Sequence, residues 1–179
     1  MIYIITALKP EAQAFVDFYK LKKSKLSNFT IFSNSNIKLI ISGLGISNAR
    51  NATQTLINHF DITDDDIYVN VGICGADDDY EIGELIEIGS IVYEEQNYHF
   101  KKDRALITSL DSEANAAVAK IVDMESFGFF DAVSHSPAIK NFYIFKVVSD
   151  HFQPHLITKE ATKSLVFNAI NNINTIIQN

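Results

Sequence analysis

Ile2-Tyr3-Ile4-Ile5-Thr6-Ala7-Leu8-Lys9-Pro10-Glu11 is the stretch that decides the fold class. Its apolar residues run without a polar alternate, the pattern of a strand buried on both faces, over residues 2–7. Pro10 follows, and a residue with fixed φ and no N–H suits the first turn of a helix. Ala12, Phe15, Val16 and Tyr19 then recur at helical spacing.

The same alternation repeats downstream. Residues 28–32 and Ile37–Ile41 read as a hairpin around the polar turn Asn34-Ser35-Asn36. Gly43-Leu44-Gly45 leads into a helix over 47–59, Asp64-Asp65-Asp66 is a turn, and 67–71 is a strand. Leu85–Tyr93 and 106–108 are further strands, and 114–120, 126–133 and Lys159–Ile177 are helices. In the last of these, Leu165, Val166, Ala169, Ile170, Ile173 and Ile177 form one apolar stripe. Lys20, Lys22, Lys23 and Lys25 read as a solvated loop. Strands alternating with helices, plus a hairpin, predict a three-layer α/β/α domain with a central mixed β-sheet, one domain over 1–179.

Composition narrows the function classes. The 179 residues are 47% hydrophobic and 21% charged, which is globular. A net charge of −7 argues against a nucleic-acid partner, since a phosphate backbone needs a basic face. No apolar run is long enough for a transmembrane helix, so no membrane partner is expected. The first residues read as a strand and not as a signal peptide. Cys74 is the one cysteine, which leaves no intrachain disulfide and fits a reducing cytoplasm.

The residues with chemical potential sit at predicted strand ends, where ligands of open α/β sheets gather. Glu11 lies in the first turn of the first helix, where a carboxylate is also favoured by the helix dipole alone. Asp123-Met124-Glu125 follows the apolar pair Ile121-Val122, and Val147-Val148-Ser149-Asp150 ends the run begun at Phe142. Gly43-Leu44-Gly45 and Gly72-Ile73-Cys74-Gly75-Ala76 read as turns whose backbone amides could approach an anion or a sugar, or simply as tight turns. His151 and His155 have a metal-ligand spacing, but Pro154 interrupts the helix this needs and no third ligand is evident. Cys74 reads as a small buried residue and not as a nucleophile. No Gly-x-Ser-x-Gly elbow or phosphate-binding P-loop is present.

From end to end, the order of these motifs resembles that of 5′-methylthioadenosine/S-adenosylhomocysteine nucleosidases, in the nucleoside phosphorylase superfamily. Ile4 to Glu11 is similar to that family's opening strand and helix, and Ser42-Gly43-Leu44-Gly45-Ile46-Ser47-Asn48-Ala49 to its Ser-Gly-x-Gly-x-x-x-Ala turn. Asn70-Val71-Gly72-Ile73-Cys74-Gly75-Ala76 resembles its Asn-x-Gly-x-Ala-Gly segment, with Ile73 in place of a common serine. Ile82-Gly83-Glu84-Leu85 and Tyr98-His99 have counterparts too. Val122-Asp123-Met124-Glu125-Ser126 is close to Val-Glu-Met-Glu-Ala, Val148-Ser149-Asp150 to Ile-Ser-Asp, and His155-Leu156-Ile157 to His-Leu-Ser. The chain departs from the family between His99 and Asp123, where it is short and Glu113 falls near the place of a base-stacking phenylalanine.

The resemblance implies a purine nucleosidase needing no cofactor and no metal. Glu11 would activate water and Asp150 would protonate the leaving purine, its place after an apolar strand favouring a raised pKa. Met124 and Glu125 would hold ribose, with Gly43, Leu44, Gly72, Ile73, Cys74, Gly75, Asp123 and Ser149 completing the substrate site. It also implies a cytoplasmic homodimer whose small-molecule substrate is a 5′-modified purine nucleoside, of methylthioadenosine, adenosylhomocysteine or futalosine type. Two alternatives stand beside it: a nucleoside-binding protein without turnover, and a phosphate-dependent phosphorylase. The second is disfavoured because Arg50 and Arg104 are the only arginines.

Overall fold

The computed structural model describes residues 1–114 and 118–178. Its strands are β1 (Ile2–Thr6), β2 (Lys22–Leu26), β3 (Phe29–Ser33), β4 (Ile37–Ile41), β5 (Ile67–Ala76), β6 (Leu85–Tyr93), β7 (Gln96–His99), β8 (Ala105–Ser109), β9 (Ile121–Asp123) and β10 (Asn141–Asp150). The helices are α1 (Lys9–Tyr19), α2 (Ile46–His59), α3 (Ser126–Ser134) and α4 (Lys159–Ile177), with a 3-10 turn at Pro154–Leu156.

All ten strands join one mixed sheet. β1 pairs in parallel with both β4 and β5, and β5 in parallel with β10. β2, β3 and β4 form an antiparallel meander at the outer edge. At the other end the sheet closes on itself. β10 pairs with β6, β6 with β8, β8 with β9, and β9 returns to β5. This ring of five strands brings the C-terminal ends of β5, β9 and β10 together.

Helices cover both faces, giving the three-layer arrangement expected from the sequence. On one face α1 and α4 pack together over a core that includes Phe15, Leu39, Val69, Phe145, Val166 and Ile170. On the other, α2 and α3 pack over Ile5, Ile40, Leu56, Tyr68 and Phe129. Ile4 and Ile5, adjacent on β1, point into different cores, which is why that strand shows no polar alternation. Gly128 lets α3 lie against the start of α2: a Cβ there would stand 2.0 Å from the Ile46 carbonyl oxygen.

Three expectations need correcting. The lysine cluster is not a loop, because Lys22, Lys23 and Lys25 lie on β2 with only Leu26 of that strand buried. An edge strand exposed on both faces has no apolar period to read, and its lysines discourage pairing with another chain. The glycine-containing stretch 72–76 is not a turn, because β5 runs through it to Ala76, held by β10 on one side and β9 on the other. Glycine reads locally as a breaker, and here two flanking partners override that tendency. The helix expected over 114–120 is absent at its described ends; 115–117 lie outside the described residues. Val118 is 64% exposed, so its side chain supplies none of the buried contact that would hold a helix there.

Candidate active site

One cavity of about 290 Å³ opens where the strand ends of the ring meet the starts of α1, α3 and α4. Of the residues singled out in the sequence, Glu11, Leu44, Ile73, Cys74, Gly75, Asp123, Met124, Glu125, Ser149 and Asp150 line it. Gly43 and Gly72 do not. Gly72 lies beneath the floor, where a Cβ would stand 3.1 Å from Glu11 Oε1 and 3.5 Å from Lys146 Nζ. Its missing side chain is what lets these two charged groups approach.

Glu11 is 2% exposed. Its Oε2 accepts the N–H of Ala7 at 3.0 Å and of Leu8 at 2.8 Å, closing the first turn of α1. Oε1 accepts the Ile73 N–H of β5 at 3.0 Å. A carboxylate has roughly four lone-pair sites, so Oε1 keeps one for a ligand. Burial holds the Glu11 pKa above the ordinary range, while the Leu8 and Ile73 amides, Lys146 and the Ala7 amide pull it down.

Glu125 stands at the start of α3, and its Oε1 accepts the Gly45 N–H at 2.9 Å. Gly45 has a φ of 98°, a conformation only glycine adopts readily. The anion met by this glycine loop is therefore a carboxylate of the chain itself. Burial raises the Glu125 pKa to about 7, opposed by Lys146 and the Gly45 amide and reinforced by Asp123 and Glu11.

Asp123 is turned inward and saturated. Its Oδ2 accepts from the Ser126 N–H at 2.8 Å and hydroxyl at 2.7 Å, and from the Glu125 N–H at 3.2 Å; Oδ1 accepts from Ser109 Oγ at 3.0 Å. Burial works against its charge, but Lys146 and Ser126 prevail and hold its pKa below the usual value. Asp123 fixes the start of α3, so it supports the site from within it.

Asp150 closes β10 and is 7% exposed. Oδ1 accepts the Gln153 N–H at 2.7 Å, and Oδ2 lies 2.6 Å from Ser149 Oγ. Ser149 Oγ is also 3.1 Å from the Cys74 carbonyl oxygen. The single Ser149 hydroxyl proton is shared between these two acceptors, Asp150 Oδ2 and the Cys74 carbonyl oxygen. Burial pushes the Cys74 thiol pKa up, which keeps it from acting as a thiolate.

Lys146 was missed in the sequence. It is fully buried, and its Nζ lies 2.7 Å from Asp123 Oδ2. A lysine inside the apolar run from Phe142 to Val148 was the available signal, since a charge in a doubly buried strand requires a partner.

The rim is polar and open, with exposed Ser112 and Glu113 on one side and exposed Thr158 and Lys159 on another. Arg50 pairs with Asp131 at 2.6 Å and Arg104 pairs with Glu87, so neither reaches the cavity. His151 Nδ1 lies 3.0 Å from the Ala76 carbonyl oxygen, and His155 sits on the 3-10 turn. Among the described residues, no group of three His, Cys, Asp or Glu side chains could hold a metal ion. Among them also, no helix is long and apolar enough to cross a membrane.

This three-layer architecture is the fold of several solved nucleosidases. The structure of 5′-methylthioadenosine/S-adenosylhomocysteine nucleosidase from Neisseria meningitidis, in complex with methylthio-immucillin-A, matches with a TM-score of 0.80 at 16% identity, covering 98% of this chain and 97% of that one. The corresponding enzyme from Colwellia psychrerythraea, bound to adenine, gives 0.82 at 17% identity, covering 99% and 94%. Futalosine hydrolase of Helicobacter pylori gives 0.80 at 12% identity, covering 99% and 97%. No family model matches the sequence, and no curated protein matches it.

Proposed function

We propose that the chain is a purine nucleosidase that hydrolyses the N-glycosidic bond of a 5′-modified purine nucleoside. The observation that carries this reading is the convergence of Glu11, Glu125 and Asp150 on one cavity from α1, the start of α3 and the end of β10. Each brings a different charge environment, the arrangement that lets carboxylates take separate acid and base roles.

Breaking the bond between the sugar C1′ and the purine builds positive charge on ribose and negative charge on the base. Asp150, in its protonated form, donates to the base nitrogen as the bond lengthens. Glu125 accepts hydrogen bonds from the ribose hydroxyls and places negative charge beside the developing oxocarbenium ion. Met124 packs against the sugar. Glu11 orients the attacking water through the open site on Oε1 and takes its proton, and its raised pKa makes it a stronger base than an ordinary carboxylate. The products are free base and the 5′-modified ribose, with no cofactor or metal required.

Phosphorolysis fits less well, because both arginines are paired elsewhere and the floor is lined by carboxylates. Such a floor repels phosphate. Methylthioadenosine, adenosylhomocysteine and futalosine-type nucleosides are all candidate substrates, the last because futalosine hydrolase is as similar in fold as the others. A cytoplasmic homodimer is the assembly we assign to it.

The test is base release by purified protein from each candidate, with and without phosphate. Phosphate-independent release that Asp150→Asn abolishes is the expected result. Binding of these nucleosides without release from any would instead make the chain a nucleoside-binding protein.

A further inference from the structure

Three carboxylates of the cavity floor, Glu11, Asp123 and Glu125, surround a lysine buried beneath it, and the proposed chemistry uses two of these three directly. Lys146 is the one cation among them. Glu11 faces it from α1, Asp123 from the end of β9, Glu125 from the start of α3 and the Cys74 thiol from β5. Asp150 follows on β10 itself. The adjoining strand β6 places apolar Ile86 opposite Lys146, while the next residue, Glu87, is taken by Lys101 and Arg104.

The ammonium contacts Asp123 Oδ2 at 2.7 Å as an ion pair, and no second acceptor within the described residues takes a hydrogen bond from it. A fully buried ammonium with unspent donors is costly unless the surrounding field supports it. The field here comes from three carboxylates, and Gly72 is what allows Glu11 to share it.

We propose that Lys146 is a positioning residue of this site, the shared counter-ion that keeps Glu11 and Glu125 in different protonation states within one dry floor. The physical reason is arithmetic. Asp123 and Lys146 together are neutral, so one further negative charge is tolerable in the floor and two are not. Lys146 lies against the first carboxylate and within the field of the other two, so a proton gained by one is felt by the others. Once Glu11 has taken the proton of the attacking water, Glu125 stays ionised and accepts from the ribose hydroxyls, the role proposed for it above.

The inference rests on the nucleosidase reading for its meaning in catalysis, but its first test needs no turnover. Carboxyl 13C resonances of glutamate-labelled protein give the titration midpoints of Glu11 and Glu125 directly. In Lys146→Met both midpoints rise, by about one pH unit or more, and in Lys146→Arg they return to within a few tenths of the native values. Because Lys146→Met strands Asp123, the double variant Lys146→Met with Asp123→Asn removes both charges and retains the fold; there the Glu11 midpoint still rises. In the native protein, the Lys146 Cε resonance must shift as Glu125 titrates. Unchanged glutamate midpoints in Lys146→Met, an unchanged Glu11 midpoint in the double variant, or a Lys146 signal flat across the Glu125 titration, overturn the proposal.

Where base release is measurable, the acid limb of the kcat/KM profile moves to higher pH in Lys146→Met and is restored by arginine. A purely structural lysine would lower stability and leave that limb in place. Absence of base release from the native protein refutes the nucleosidase reading, while the titrations still decide the role of Lys146.

Discussion

Glu11 and Glu125, in the floor of the cavity, are 2% and 7% exposed, whereas Glu113 and Lys159 on its rim stand in solvent. The floor carboxylates are gripped by backbone amides of Ala7, Leu8, Ile73 and Gly45, donors whose positions are set by strand pairing and helix starts. The rim residues depend on loop conformation and on the first turn of α4. Charge is therefore strong and fixed below, where water is excluded, and weak and screened above. In the nucleosidase we propose, chemistry belongs to the floor, and choice of the 5′ substituent belongs to the rim.

The sharpest break in that division is Asp150→Asn. It cannot donate the proton to the leaving base, and turnover falls by about 10³-fold with melting temperature little changed. Base-release rates set beside a thermal melt check both halves of the statement. Undiminished release would remove Asp150 from the mechanism.

Gly72→Ala tests the space under the floor without replacing a titrating group. The new Cβ, 3.1 Å from Glu11 Oε1, displaces that carboxylate. We expect kcat to drop by roughly tenfold or more and KM to hold. A parallel rise in KM would mean that substrate itself rests on this position.

The third prediction concerns stability. Glu125 has a folded pKa of about 7, above its ordinary 4.5, so the folded state binds this proton more tightly than the unfolded chain. The stability it contributes is complete below the ordinary value and is lost as pH rises through about 7. Glu125→Gln removes that loss. Its melting temperature relative to native protein should climb by a few degrees between about pH 5 and about pH 8. A constant difference across that range would show that the carboxyl is not held in a desolvated place.

On the rim the effects shrink. Glu113→Ala should change KM by about threefold or less and leave kcat alone, with the direction depending on the charge of the 5′ substituent. A loss of kcat at Glu113 would collapse the distinction between floor and rim.

Much of this was legible in the sequence because it is local. The boundaries of β4, β6 and α4 follow from apolar runs and from a helical stripe, and Glu11 announces itself one residue after Pro10. β2 was not legible, since an exposed edge strand carries no burial pattern. The stretch 72–76 misled for the converse reason: its glycines signal a turn, while β9 and β10 hold it extended.

By itself, then, the sequence determined the layered α/β class and the acidic residues at the strand ends, because periodicity and propensity act within a few residues. The tertiary structure alone decided the closure of β5, β10, β6, β8 and β9 into a ring, the burial of Lys146 against Asp123, and the capture of Glu125 by the Gly45 amide. Those contacts join residues dozens of positions apart. Their energies depend on a shared low-dielectric environment that exists only once the chain has folded.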